Sequence, residues 1–214
     1  MNLNLNLNLM NENEQFTLGA LDIQLYNNGG GSFDLSGPVM DRALFHVDGV
    51  YKWKAFRAEG VVCKTHQPPH TAFRGFGGPQ GIAICEHILD HLASEANVSP
   101  ETLRTSNLYQ EGDYTPFGLQ ILPNTWNIPK AWDQMVESAD YTQRKEAVQV
   151  FNSQNKLKKR GIVILPTKFG IAVSKSDTKH LDYFLCFFLY ISYMLNFYNC
   201  NFIVHCQIHE SRRS

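Results

Sequence analysis

Apolar and polar positions alternate along Leu18–Tyr26 (LGALDIQLY), the two-residue period of a half-buried strand. Asn27-Asn28-Gly29-Gly30-Gly31 is expected to end it, since Asn and Gly tolerate left-handed backbone. Ser36 reads as an N-cap, with Pro38 just inside a helix that runs to about His46. Its core stripe is Val39, Met40, Ala43, Leu44 and Val47. Tyr51–Thr65 reads as one long strand or two short ones, with Gly60 as a bulge or break. A loop covers His66–Gly78, and Pro79–Ser94 is the clearest helix. On that helix Ile82, Ile84, Cys85, Ile88, Leu89, Leu92 and Ala93 share one arc, while Glu86, His87, Asp90 and His91 share the opposite one. Ser99 caps a shorter helix over Pro100–Leu108, and Trp132–Phe151 carries helical patterning in one or two pieces. Arg160–Val173 is strand-like, and Pro166 places it at an edge or a bend. Mixed strands and helices predict an α+β fold.

The ends break this pattern. Asn and Leu alternate from Asn2 to Leu9, and nothing nearby reads as a turn back. Residues 1–16 are therefore taken as a low-complexity, disordered or artefactual N-terminus. Residues 17–174 form the folded unit. Residues 175–214 are a tail of different composition, nearly all apolar from Tyr183 to Leu195 and then interrupted by Asn196, Asn199 and Asn201. The apolar run is shorter than the roughly 17–25 residues of a spanning helix, so a membrane partner is not expected. The chain has 214 residues and a formal net charge of −1, which argues against a nucleic-acid or anionic-surface partner. No secretory leader is visible, and Cys63 and Cys85 read as reduced thiols of a cytoplasmic protein.

The strongest chemical signal is Phe73-Arg74-Gly75-Phe76-Gly77-Gly78-Pro79-Gln80. Glycines allow close backbone approach, and Pro79 opens a helix whose N-terminus favours an anion or carbonyl. Arg74 adds a planar charged fork. A tight structural turn with a surface arginine would leave the same text. Arg42, at the border of the first helix's stripe, reads by default as a solvated arginine that could reach a cleft. His87 and His91 have metal-ligand spacing, but no third ligand is evident, so a solvated polar face is expected. Cys200, His205, Cys206 and His209 are poorly spaced for zinc, and no metal site is assigned to protein side chains. No Ser-His-Asp order, phosphate-binding P-loop or paired CxxC pattern occurs.

Several blocks, in order, resemble the xanthine dehydrogenase/aldehyde oxidase family. They are Asp34-Leu35-Ser36 with MDRALFH (Met40–His46), VCKTHQPPHTAFRGFGGPQ (Val62–Gln80), NLYQEGDYTPFGLQ (Asn107–Gln120) and RGIVILPTKFGIAVS (Arg160–Ser174). The resemblance implies a partial molybdenum-cofactor-binding domain. It also implies Mo-molybdopterin as cofactor, with two 2Fe-2S clusters and FAD carried by domains outside the matched text. The family oxidises purines or aldehydes, with a glutamate as general base, and works as a homodimer. Carried over position by position, Arg74 contacts the molybdopterin in the loop with Phe73, Gly75 and Gly77. Phe76 stacks on the flat substrate, Arg42 binds the purine oxo group, and Ser174 keeps the hydroxyl of a substrate-contacting position. Arg42 favours purines such as hypoxanthine and xanthine over aldehydes.

Val173 stands where xanthine dehydrogenases have a second phenylalanine, which loosens the expected purine sandwich. The general-base glutamate is not found, so no catalytic residue is assigned and the chain alone is expected to be inactive. Text after Ser174 resembles nothing in the family and reads as read-through. The alternatives are a truncated interaction or decoy subunit pairing with a full-length partner, and weak membrane association through the tail. A cytoplasmic location is expected, with the peroxisome as the alternative.

Overall fold

The computed structural model describes residues 9–12, 15–169 and 202–210. Strand β1 (Leu9–Glu12) turns back on β2 (Gln15–Leu18), antiparallel, with Glu12 opposite Gln15. This pairing was not foreseen, because the connection carries no glycine or proline to announce a turn. Asn107 secures β2: its side chain accepts from the Leu18 N–H at 2.9 Å and donates to the Phe16 and Leu103 carbonyls at 2.8 Å.

Strand β3 (Ala20–Gly30) pairs in parallel with β4 (Ala55–Lys64), and helix α1 (Ser36–Leu44) lies in the crossover between them. Leu21, Ile23 and Leu25 point into the core, while Asp22 and Gln24 do not, as the alternation required. The strand does not end at Asn27: it continues to Gly30, with a register shift between Asn28 and Gly30. Ser36 is the first helical residue and not the cap; Leu35 occupies that position, and the Ser36 hydroxyl donates to the His70 carbonyl at 2.7 Å. Gly60 is neither bulge nor break. It pairs in register with Leu25, and a Cβ there would lie 2.6 Å from Met40, so glycine lets α1 press onto the strand.

Helix α2 (Gly78–Ala96) crosses α1 on two further glycines. Cβ atoms at Gly77 and Gly81 would fall 2.1 and 2.3 Å from the Val39 and Ala43 carbonyl oxygens. The inner stripe of α2 is Cys85, Ile88, Leu89, Leu92 and Ala93, packed with Val47, Val50, Tyr51 and the β3 side chains. Glu86, expected on the solvated arc, is buried. Its carboxylate accepts from the Tyr51 hydroxyl at 2.7 Å and from Arg104 Nε at 2.8 Å. Arg104 lies on α3 (Pro100–Ser106), which Ser99 caps by accepting from the Thr102 N–H at 3.0 Å. Burial works to lower the Arg104 pKa, but the Glu86 carboxylate overrides it and the net shift is upward.

Helices α4 (Ile128–Ser138) and α5 (Tyr141–Gln154) are the two pieces of the expected helical stretch, broken at Asp140 in left-handed backbone. Strand β5 (Arg160–Lys168) pairs antiparallel with β6 (Phe202–Glu210). Pro166 fits because a two-stranded sheet leaves an open edge on each strand. The architecture is α+β, with three two-stranded sheets among the described residues. Among them no helix is long and apolar enough to cross a membrane. Expectations for Val173, Ser174, Tyr183–Leu195 and Cys200 lie outside the described residues, as do those for the side chains of His205, Cys206 and His209.

Candidate cofactor and substrate site

The glycine loop forms a tight left-handed turn into α2. Gly75, Phe76 and Gly77 all have positive φ, at 97°, 51° and 94°. For Phe76, a residue with a Cβ, this costs about 1–2 kcal/mol, and such strain concentrates at working sites. Phe76 N–H donates to the Phe73 carbonyl and Gly78 N–H to the Gly75 carbonyl, both at 2.9 Å. Phe73 and Arg74 are exposed, Gly75 and Phe76 half-buried, and Gly77 buried. Gly77 thus shapes the turn by fitting against α1, whereas Arg74 offers its charge outward.

Arg42 is not the solvated arginine that its helix position suggested: it is 3% exposed. Burial lowers its pKa to about 10, so it remains a cation at neutral pH. Its guanidinium lies 5.4 Å from the centre of the Phe169 ring. The same ring sits 4.9 Å from the His46 imidazole, and a Cβ on Gly78 would lie 2.4 Å from it. Phe169 therefore brings together MDRALFH, FRGFGGPQ and PTKFG, three segments far apart in sequence.

His46 is fixed by the Arg42 carbonyl, 2.7 Å from Nδ1. With the Nδ1 proton committed there, Nε2 is left as an acceptor, and it is buried without a partner. Burial pushes the His46 pKa down to about 4, partly offset by that carbonyl, so the ring is neutral. Lys168, next to Phe169, donates to Asp48 Oδ2 and to the Gly49 carbonyl. Tyr109 donates to the same oxygen at 2.9 Å. Burial raises the Asp48 pKa, and Lys168 opposes it. This buried group fastens the end of β5 to the loop after α1 and so holds Phe169 over Arg42. Nothing in hydropathy patterning marks Phe169, Lys168 or Asp48. Phe169 and Lys168 lie inside the matched PTKFG text, where no role was assigned to them.

A molybdopterin cofactor-binding domain matches residues 11–108. Mouse xanthine dehydrogenase/oxidase is 44% identical over 160 residues, covering 75% of this chain and 12% of that protein. The chain belongs to the xanthine dehydrogenase/aldehyde oxidase family. A second relative, nicotinate hydroxylase of Emericella nidulans, is 43% identical over 160 residues, again 75% of this chain and 12% of the relative. Among solved structures, the aldehyde oxidoreductase of Desulfovibrio desulfuricans superposes with a TM-score of 0.63 at 26% identity. That match covers 73% of this chain and 17% of the other. The sequence thus spans about an eighth of the length of the relatives it matches. The thiols of Cys63 and Cys85 are free, and burial raises the Cys85 pKa well above its ordinary value.

Proposed function

We propose that this chain supplies one wall of the molybdenum-cofactor and substrate site of a purine-oxidising hydroxylase. The observation that carries the reading is the buried Arg42 cation, held under Phe169 and beside the neutral His46. Such a cation costs free energy to bury and is suited to an oxo group on which charge builds during reaction. Bound molybdopterin supplies the redox chemistry that hydroxylates an electron-poor carbon. The residues present fit that group: an exposed arginine flanks a glycine turn at the N-terminus of a nineteen-residue helix. Arg74 would bind the cofactor, with Phe73, Gly75 and Gly77 giving the turn its shape. The strained Phe76 offers a ring on which a flat heterocycle stacks. Ser174, by its place in the matched text, contacts the substrate.

In this reading the isolated residues do not complete a turnover. Among the described residues both fully buried carboxylates already face a cation, Asp48 with Lys168 and Glu86 with Arg104, and neither is placed as a general base. Electron transfer through two 2Fe-2S clusters and FAD, and the homodimer, fall to other parts of a full-length subunit in the cytoplasm. Phe73, 73% exposed, together with exposed Phe33 and Leu35, favours docking of this chain against such a subunit.

The test is ligand binding by the chain purified from a host that makes the cofactor. Arg42→Met is expected to weaken hypoxanthine binding by roughly tenfold or more, the worth of one hydrogen bond to a charged group. Arg74→Ala is expected to lower the molybdenum and pterin content. Equal binding of hypoxanthine by wild type and Arg42→Met overturns the purine reading. Tighter binding of nicotinate than of hypoxanthine would move the substrate class toward that of the Emericella relative.

A further inference from the structure

His87 and His91 lie one turn apart on the outer face of α2, both exposed and two or more turns along the helix from the glycine turn at its start. Spacing alone favoured a solvated face. The side chains, however, converge: the two Nε2 atoms are 3.2 Å apart and the rings stand at 89° with centroids 4.5 Å apart. We propose that this pair is a two-histidine chelate for a divalent transition cation of the zinc type.

The distance carries the argument. Zinc–nitrogen bonds are about 2.0–2.1 Å long, and a cation held that far from two nitrogens 3.2 Å apart subtends roughly 100–106°. That is close to the tetrahedral angle of about 109°. The nitrogen separation therefore suits the ion, and the imidazole that donates its N–H in the metal-free pair carries that proton on Nδ1 when it ligates. Without metal, the same convergence is a hydrogen bond in which one imidazole donates its N–H to the other. Among the described residues no third His, Cys, Asp or Glu completes the set, so water fills the remaining positions. Asp90, between the two histidines in sequence, is engaged by Arg104 at 2.6 Å. Glu95, exposed and one turn beyond His91, adds negative charge on the same stripe. Imidazole nitrogen selects zinc, nickel or copper over magnesium or calcium. A cation bridging positions i and i+4 also ties one helical turn to the next and stabilises the folded chain by linkage.

The experiment uses the full 214-residue chain titrated with Zn2+ in competition with a chromophoric chelator, and histidine side-chain 15N NMR. The expected result is one Zn2+ whose binding shifts His87 and His91 Nε2 and raises the melting temperature by several degrees at saturation. In His87→Gln or His91→Gln that binding weakens by roughly tenfold or more, because the second nitrogen no longer acts at high effective concentration. Both side chains are exposed, and circular dichroism verifies that the variants fold. Zinc uptake unchanged in the double variant places the ion elsewhere, among the tail cysteines and histidines for instance, and overturns the proposal. So does the absence of any shift at His87 and His91 at millimolar Zn2+, or Mg2+ binding as tight as Zn2+.

Discussion

Arg104 with Glu86 and Lys168 with Asp48 are both buried ion pairs, and they differ in reach and in completeness. The first joins neighbouring helices over 18 residues, and both Glu86 oxygens have donors, Tyr51 and Arg104. The second spans 120 residues, loads both donors onto Asp48 Oδ2 and leaves Oδ1 without a partner. The first is a finished brace inside the core. The second tolerates an unmatched buried oxygen and lies where Phe169, Arg42 and His46 meet. Polar groups that stay incompletely paired in a fold tend to sit at working sites, where geometry takes precedence over stability.

The largest effect is expected at Arg104. Arg104→Met strands the Glu86 carboxylate and should cost about 3–5 kcal/mol in urea unfolding. Adding Glu86→Leu should recover most of that loss, because a matched apolar pair often replaces a buried ion pair at little cost. A double variant as weak as the single one would show that the brace does more than neutralise itself.

Acid should single out the second region. Unfolded, His46 takes a proton near its ordinary pKa of about 6.5. Folded, it resists protonation until about pH 4. The unfolded state thus binds more protons in this window, and stability is lost as pH falls from 6.5 to 4. The loss is on the order of 3 kcal/mol. In His46→Asn that part of the pH dependence should vanish; an unchanged acid limb would remove His46 as its source.

Lys168→Met should cost less than Arg104→Met, about 2 kcal/mol, because Lys168 is 13% exposed and serves one carboxylate, whereas Arg104 is 1% exposed and serves both Glu86 and Asp90. Its more informative readout is local: the ring-current shift of the Arg42 side chain by Phe169 should diminish in the NMR spectrum. The smallest effect is expected at Asp90→Asn. Its side chain is 53% exposed, and such a pair with Arg104 is worth under about 1 kcal/mol. A larger loss there would mean that the first brace is less complete than its geometry indicates.

Much of the fold was legible because it follows from periodicity. The β3 alternation, the α2 stripe and the Ser99 cap each depend on residues within a turn or a strand length of one another. Buried charges were not legible. Glu86 and Arg42 read as surface residues because the partners that make their burial tolerable lie on other elements. Gly60 was misread for a similar reason: the glycine answers to Met40 on a helix and not to its own strand. The candidate site was legible in part. Arg42, Arg74 and Phe76 were named through the family resemblance, and the physical logic of a glycine turn before a helix supported the loop. Phe169 carries no local signal, and its role exists only once β5 lies over α1. The β1–β2 and β5–β6 pairings went unread because each needs a partner that no nearby turn residue announces.

The reach of the Lys168–Asp48 contact also bears on when the site is assembled. Strands β3 and β4, with α1 between them, can pair as soon as the first third of the chain is available. A link across 120 residues closes a long loop and pays its entropy late. The core would then be organised before Phe169 is seated. On that order of events Lys168→Met should leave the refolding rate nearly unchanged and speed unfolding, so that the site end opens first and closes last.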